Sequence, residues 1–440
     1  MEKKTESLSI SIGHFAQVFN GTLYGYFAFF LADVFFPAEQ EEWLRLAASY
    51  AAFAVGLLAQ PLGALFIGFL GDTKGLRKAL RLSVALMGIP TLAIALTPSF
   101  ESIGILAPIA IILFRACQGF VYGIEYVGAT MHSCDTAESE SKRSAKSARM
   151  VFIGFGGAML AMLLSALLNI PSMPNWSWRL IFVFGGFFAF VAYFTSKSKD
   201  KDLAEAAESR LEIHSKKQIF APLMNAFNNR FRTITGSVIA GISAIPLFSA
   251  TVFGNSLLHQ SGLSHSAIFL VDFFILAQTG LFIYLFGLFF SKMNFKNTTA
   301  ISLVITGVLA LCSAFPLIGY SLAEIPPLNA IVFVAILSSA SGPIGSWAMP
   351  YVHSLFNSKY RLTESALSVT LGYAVIGGLT PNICLYLEQL RGVPHWMEGV
   401  PAILFLFILP MIGLGLFMVR KVERRTSFLT KSLTLEQRLS

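Results

Sequence analysis

Four polar side chains recur inside an otherwise apolar stretch, FRACQGFVYGIEYVGA, at residues 114–129. They are Arg115, Gln118, Tyr122 and Glu125. At about 100° per residue of an α-helix, they share an arc of about 80°. An arginine can hold a carboxylate through two parallel hydrogen bonds, and a glutamate can accept and release a proton. The spacing therefore predicts one polar helix face able to bind an acidic group and to move a proton. Gly119 and Gly123 form a pair of small residues beside this face, which predicts the close approach of another helix.

A second polar stripe lies near the N-terminus, where Gln17, Asn20 and Tyr24 fall on one narrow arc of a predicted helix, with His14 on its flank. Amide and phenol groups can hydrogen-bond a small polar solute without carrying charge. Polar contacts that only join helices are an equally good interpretation of this stripe. Both interpretations therefore stay open for these three residues, which on the first of them face the Arg115 stripe across a site.

The charged residues inside the predicted spans also allow two interpretations, a structural one and a functional one. An Arg115–Glu125 pair could simply hold helices together, but we favour a wet cavity, because intramembrane ionisable groups usually serve a function. Asp272 is a single acid close to the end of another apolar run. We interpret it as an interfacial residue, with a proton site as the alternative.

The elements that must position these residues are membrane-spanning helices. The chain has 440 residues, of which 55% are hydrophobic and 13% charged, with a mean hydropathy of +0.67. Runs of about 20 apolar residues are long enough to cross a bilayer as helices. We predict an all-α membrane protein with twelve such spans, at approximately 12–36, 47–70, 79–97, 103–130, 149–169, 178–196, 233–257, 267–290, 298–320, 327–352, 365–388 and 399–419.

Lysine and arginine residues predict the orientation of these spans. If both termini are cytoplasmic, the inner segments carry 28 of the 32 basic residues and the outer loops carry two. That asymmetry follows the positive-inside rule and accounts for the net charge of +8. Attraction to anionic membrane lipid explains the basic face, so the sequence gives no support for nucleic-acid binding.

The chain divides into two halves. We predict an N-terminal six-helix bundle over 1–196, a cytoplasmic linker over 197–232, and a C-terminal six-helix bundle with a short tail over 233–440. A weak internal repeat supports the division, since GFLGDTKGLRKA at 68–79 resembles GLFFSKMNFKNT at 287–298. Parallel repeats of six spans are typical of alternating-access transporters that bind solute between the halves.

Several motifs make the chain similar to the metabolite:proton symporter family of the major facilitator superfamily, which includes proline/betaine and organic-acid symporters. They are the 114–129 stretch, VFFP at 34–37, PLGALFIGFLGD at 61–72, WSWRLIF at 176–182 and GGLTP at 377–381. The resemblance implies twelve helices in two six-helix bundles and proton-driven symport of small solutes. It also implies coupling and substrate roles for Glu125 and Arg115.

The resemblance further implies a cytoplasmic gate made of Gly71, Asp72, Arg77 and Lys78. Physically, the Asp72 carboxylate can pair with the basic loop or face the N-terminus of a neighbouring helix. Either contact would favour one access state over the other.

Departures from the family pattern keep other functions open. Gln17 and Asn20 stand where similar members carry acids, and Gln60 stands where they carry an arginine. Leu76 and Ser291 replace a basic and an acidic gate residue. A proton-independent facilitator or exchanger, or a non-transporting sensor with the transporter fold, are therefore the alternatives.

We predict a secondary transporter in a bacterial inner membrane that takes up a small carboxylate-bearing or zwitterionic metabolite together with protons. No enzyme motif, P-loop or metal-binding histidine pattern occurs in the sequence. We therefore expect no catalytic residue, no cofactor and no metal. The expected partners are substrate, protons and membrane lipid, and the expected oligomeric state is a monomer.

Overall fold

The computed structural model describes residues 2–37, 39–170, 172–197, 221–293, 295–317, 325–388, 410 and 412–421. Within these ranges the secondary structure is helical, and no strand occurs. The first half contains α1 (Glu2–Phe35), α2 (Glu42–Lys74), α3 (Leu76–Leu96), α4 (Leu106–Tyr122), α5 (Glu125–Asp135), α6 (Lys142–Leu168) and α7 (Arg179–Lys197), with one short turn at Phe100–Ile103.

The described part of the second half of the chain resumes at Ala221. It contains α8 (Ala221–Asn228), α9 (Arg230–Phe248), α10 (Gly254–Gln260), α11 (His265–Phe290), α12 (Phe295–Cys312), α13 (Pro327–Ser339), α14 (Ser341–Leu355), α15 (Arg361–Gly372) and α16 (Thr380–Glu388). Two π-helical turns, Ser249–Phe253 and Tyr373–Gly377, connect α9 to α10 and α15 to α16. A 3₁₀ turn covers Phe315–Leu317, and residues 412–421 are helical.

Ten helical stretches among the described residues are long and apolar enough to cross a membrane. They match ten of the twelve predicted spans. The sixth prediction, 178–196, coincides with the shorter apolar helix α7. The twelfth, 399–419, lies mostly outside the described residues, as does most of the predicted linker, whose last residues form α8 and the start of α9.

Helices α2 and α4 pack at backbone distance, through glycines. A Cβ atom added at Gly119 would lie 1.6 Å from the Gly56 carbonyl oxygen, and one added at Gly123 would lie 2.3 Å from the Gln60 carbonyl oxygen. The predicted small-residue pair therefore does allow close helix approach. This contact holds α4, with its polar stripe, rigidly against α2.

The two halves touch at both ends of the bundle. At the motif end, defined by residues 68–79, Arg361 forms an ion pair with Asp135 at 2.9 Å. At the opposite end, Tyr50 donates a hydrogen bond to the Val252 carbonyl at 2.9 Å. The two halves are therefore in direct contact at both ends of the bundle.

Candidate functional site

A cavity of about 150 Å³ lies between the two halves. Its lining includes residues of both stripe-bearing helices and of the second half: His14, Gly21, Tyr26, Gly56, Gln60, Arg115, Gln118, Tyr122, Tyr126, Phe248, Thr251, Leu276 and Tyr373. Convergent polar groups in an otherwise apolar pocket are typical of small-molecule sites, so this cavity is the candidate site.

Arg115 is the basic group of this cavity and is only 4% exposed. Its Nη1 donates to the Gln118 Oε1 at 2.7 Å, and its guanidinium carbon lies 4.7 Å from the centre of the Tyr24 ring. Its Nε has no hydrogen-bond partner. Among the described residues no carboxylate pairs with Arg115, so its charge is available to an acidic ligand.

Neighbouring side chains fix the direction of the guanidinium. The Gln118 amide donates onward to the Thr91 hydroxyl at 2.9 Å, which orients the oxygen that Arg115 binds. A Cβ at Gly56 would lie 2.7 Å from Arg115 Nη2, so glycine leaves the room that this side chain occupies. Tyr122 lines the same cavity. The structure thus brings Arg115, Gln118 and Tyr122 together, as the spacing predicts.

Glu125 lies behind the cavity wall rather than in it. It is 1% exposed, and its Oε2 accepts a hydrogen bond from the Ser83 hydroxyl at 3.2 Å. Its Oε1 lies 3.9 Å from His14 Nδ1. The carboxyl is therefore paired with α3 and α1, and no ion pair joins it to Arg115 among the described residues.

His14 connects Glu125 to the cavity. Its ring lines the cavity, is 1% exposed, and neither ring nitrogen makes a hydrogen bond. An imidazole between a buried carboxyl and a cavity can pass a proton from one to the other. Sequence reasoning places His14 only beside the first-helix stripe, because nothing in the spacing shows which residue it faces.

The second polar stripe does not line the cavity. The Asn20 amide donates to the Ala16 and Gly185 carbonyls at 2.9 and 3.0 Å, which joins α1 to α7. The Tyr24 hydroxyl lies 3.4 Å from the Ser49 hydroxyl, and its ring supports Arg115 from behind. Gln17 is completely buried. The contacts of Asn20 favour the interpretation as polar contacts that only join helices. Tyr24 positions Arg115 through the contact of its ring with the guanidinium.

The predicted gate residues stand at the contact between the halves. Asp72 Oδ1 accepts from the Leu362 N–H at 3.1 Å, and Oδ2 accepts from the N–H and the hydroxyl of Thr363 at 2.9 and 2.5 Å. The carboxylate therefore caps the N-terminus of α15, where anionic groups are favourable. The sequence left two contacts open for Asp72, the basic loop and the N-terminus of a neighbouring helix. The structure shows the second.

The remaining gate residues flank this cap. A Cβ at Gly71 would lie 2.5 Å from Leu362 Cδ2, so glycine permits the close approach of α2 and α15. Arg77 is half-buried and Lys78 is exposed, and both lie in the first turn of α3.

Asp272 is enclosed by the packed helices. It is completely buried in α11, and its Oδ2 accepts from the Asn255 amide at 2.7 Å. The interpretation as an interfacial acid stays a prediction, but the side chain is not exposed at a surface. Packing against α10 covers this position, which the distance along the span could not reveal.

The second half contributes cavity residues that the sequence did not single out. Tyr373 and Thr251 line the cavity from the π-helical turns that follow α15 and α9. The Tyr373 ring lies 6.1 Å from that of Tyr126. Turns of this type often accompany functional sites, but their sequences look like ordinary apolar helix.

Fold and site together define a polytopic helical membrane protein with a largely apolar cavity, carrying a few polar groups, between its two halves. A family model described as Major Facilitator Superfamily matches residues 15–381, and the chain belongs to that superfamily. This match and the individual relatives confirm the predicted membership of the major facilitator superfamily and the similarity to its metabolite:proton symporters.

Among these relatives, the citrate-proton symporter of Klebsiella pneumoniae is 27% identical over 404 residues, which cover 89% of this chain and 88% of the relative. The proline/betaine transporter of Escherichia coli (strain K12) is 34% identical over 176 residues, 39% of this chain and 35% of the relative. The shikimate transporter of Escherichia coli (strain K12) is 27% identical over 357 residues, 79% of each chain. These relatives are transporters and not enzymes.

Solved structures share the fold. The proton:xylose symporter XylE bound to 6-bromo-6-deoxy-D-glucose matches with a TM-score of 0.69 at 12% identity, covering 96% of this chain and 95% of that one. A partially occluded inward-open conformation of XylE from E. coli matches with a TM-score of 0.65 at 13% identity, covering 96% and 98%. The chain is thus a multi-pass membrane transporter of the major facilitator fold.

Proposed function

We propose that this protein is a proton-coupled symporter that takes up a small carboxylate-bearing or zwitterionic metabolite by alternating access. The observation that carries the proposal is Arg115, a buried guanidinium on the cavity wall that no carboxylate among the described residues neutralises. A buried charge without a partner costs several kcal/mol, so an acidic ligand would be strongly favoured there.

The relatives support an acidic solute. Citrate, proline, betaine and shikimate differ in size and net charge, but each carries a carboxylate. A guanidinium fork recognises that group whatever the rest of the molecule is. Arg115, Gln118 and Tyr122 would form the binding wall, with Tyr373 and Thr251 completing it from the second half.

Proton coupling is assigned to Glu125, with His14 between it and the cavity. The buried carboxyl has no basic residue closer than His14, at 3.9 Å, among the described residues. In the hydrocarbon region such a group is favoured in its protonated form until water reaches it. Opening and closing of the cavity would then change its protonation.

We further propose twelve spanning helices in two six-helix bundles, in a bacterial inner membrane with both termini cytoplasmic. The motif end would face the cytoplasm. Its described basic residues support this orientation by the positive-inside rule: Lys74, Arg77, Lys78, Lys142, Arg143, Lys146, Lys292, Lys359 and Arg361.

Uptake by proteoliposomes under an imposed inward proton gradient tests the proposal. Radiolabelled citrate, proline, betaine, shikimate and 2-oxoglutarate serve as candidate solutes, with wild type beside Glu125→Gln. We expect wild type to accumulate one of these solutes above equilibrium, and a protonophore to abolish this accumulation. With Glu125→Gln the same solute should reach equilibrium but no higher concentration. Glu138→Gln, which changes an exposed acid, is the matched control and should accumulate solute normally.

A facilitator is the second candidate, because Gln17 and Asn20 stand where similar family members carry acids. Equilibration of a solute that ignores the gradient and survives Glu125→Gln would establish it and would contradict coupling through Glu125. Saturable binding of a solute without any uptake would indicate the non-transporting sensor.

A further inference from the structure

Asp272 is a buried carboxyl that the proposed coupling residues leave unexplained. It lies in the second half, on α11, and is completely buried. Oδ2 accepts the Asn255 amide hydrogen at 2.7 Å, while Oδ1 has no hydrogen-bond partner. Among the described residues no lysine, arginine or histidine forms an ion pair with it. Because it is enclosed without a basic partner, the Asp272 carboxyl is uncharged only when it carries a proton.

Asn255 links this acid to the other half of the molecule. Its Nδ2 lies 3.5 Å from the Tyr26 carbonyl oxygen on α1, and the Tyr26 side chain lines the cavity. The Asn255 Oδ1 has no partner, so the amide is held only through its nitrogen. A single side chain thus contacts both the buried acid and the opposing half, at the end opposite to the Asp72 cap.

Apolar side chains pack around Asp272 and Asn255 at the end opposite to the motif end. The rings of Phe27 and Phe269 stack across the interface with centroids 4.4 Å apart. Leu276, one turn below Asp272 on α11, lines the cavity. This packing encloses the carboxyl, which is completely buried, and separation of the halves at this end would expose it to water.

Few titratable groups face Asp272. On α1 the titratable residue near Asp272 is Tyr26. His259 on α10 and His265 on α11 lie closer to the end of the bundle, and His265 is about two helical turns from Asp272. α13 has no titratable residue. Those of α6 and α14 lie towards the motif end: Lys142, Arg143, Lys146, Arg149, Tyr351 and His353.

We infer that Asp272 is a second proton-binding site, which permits closure of the end opposite to the motif end when it is protonated. Ionised Asp272 would have to stay hydrated, and this favours separated halves. Protonated Asp272 can be enclosed, and the Asn255 amide can then reach Tyr26. The inference rests on the proposed alternating-access transport, and it places a proton site in each half: Glu125 in the first and Asp272 in the second.

The test measures conformation rather than uptake, so that it can fail independently of the proposed solute and of Glu125. Spin labels are placed at Glu42→Cys and Gln260→Cys, two exposed positions of the opposite end on different halves, in a chain whose native cysteines are replaced by serine. Double electron–electron resonance then gives their distance distribution in lipid nanodiscs between pH 5 and pH 9. No solute is added.

We expect a short distance at low pH and a growing long-distance population as pH rises. Asp272→Asn, which is neutral and nearly isosteric, should show the short distance at every pH. Asp272 and Asp272→Asn are also compared in a Glu125→Gln background, so that titration of Glu125 does not contribute to the response. Asp33→Asn, a matched change of an exposed acid at the same end, should keep the wild-type response.

A wild-type distribution that ignores pH, or a pH response that persists in Asp272→Asn, would overturn the inference. So would a response to sodium at constant pH, which would make the site a metal-cation site. If Asp272→Asn does not fold, Asn255→Ala serves instead, because it retains the acid and removes the contact to Tyr26. The closed population at pH 5 should then fall, and an unchanged distribution would contradict the link.

Discussion

At the scale of single residues, the proposed binding wall depends on the orientation of the Arg115 guanidinium. Gln118 holds Arg115 from one side, Tyr24 supports its face, and Gly56 leaves room for its Nη2. A ligand carboxylate would therefore meet two N–H groups that are already aligned. Such preorganisation raises affinity because little side-chain freedom is lost on binding.

Arg115→Lys keeps the positive charge but removes the two-pronged donor and the stacking on Tyr24. Charge-assisted hydrogen bonds contribute about 1.5–3 kcal/mol, and about 1.4 kcal/mol is a factor of ten in affinity. We expect the KM for the transported carboxylate to rise at least about tenfold. Initial rates of uptake in proteoliposomes measure it.

Arg179→Lys is the matched control for this substitution. Arg179 bonds the Ala95 and Thr97 carbonyls at 2.6 Å, and it does not line the cavity. Its KM should stay within about twofold of wild type. An unchanged KM in Arg115→Lys would show that the guanidinium does not bind substrate.

At the scale of elements, the contact between α2 and α4 is the support for the site. Gly119 and Gly123 bring the α4 backbone against Gly56 and Gln60. Arg115 is one turn from Gly119, so any separation of these helices moves the guanidinium. The sequence predicted the close approach but not which helix is approached.

Gly119→Ala should disrupt this support, because the new methyl carbon would lie 1.6 Å from the Gly56 carbonyl oxygen and backbone cannot yield as a side chain does. Overpacking costs about 1–3 kcal/mol, and we expect a lower thermal midpoint together with a raised KM. Fluorescence-detected thermal unfolding of the purified protein measures the first effect.

Gly13→Ala provides the comparison for Gly119→Ala. Its Cβ would make an ordinary contact of 3.4 Å with Val84, and alanine favours helix more than glycine does. Its midpoint should be equal or higher. Equal midpoints for both variants would mean that α2 and α4 are not closely packed.

At the scale of the whole molecule, the Asp72 cap and the Asn255–Tyr26 contact lie at opposite ends of the interface between the halves. In alternating access, the two ends open in turn around a fixed central site. Weakening one closure should therefore shift the population towards the state open at that end.

Asp72→Asn replaces an acceptor of three hydrogen bonds by an amide that can accept at only one atom. Loss of a helix cap costs about 0.5–2 kcal/mol, so the ratio of molecules open at the motif end to closed molecules should rise about two- to thirtyfold. Cys134 is buried at this end and reports it. Its rate of maleimide labelling should increase accordingly.

This labelling requires a background in which the other cysteines are serine: Cys117, Cys312 and Cys384. Lys74→Gln changes an exposed residue at the end of the same helix and should leave the rate unchanged. Slower or equal labelling in Asp72→Asn would show that the cap does not hold the motif end closed.

The sequence by itself determined the features that follow from spacing and composition. Apolar runs of membrane length predicted the spans, and helical periodicity grouped Arg115, Gln118 and Tyr122 on one face. Both signals are local, because the rise and the rotation per residue of an α-helix are fixed by its backbone geometry.

Tertiary structure decided what stands opposite each face. The helix is interrupted between Tyr122 and Glu125, so the glutamate points to Ser83 and His14 instead of sharing the cavity with Arg115. Packing against α10 buried Asp272, and contact with α7 occupied the Asn20 amide. Such pairings join residues far apart in sequence, and periodicity within one helix carries no information about them.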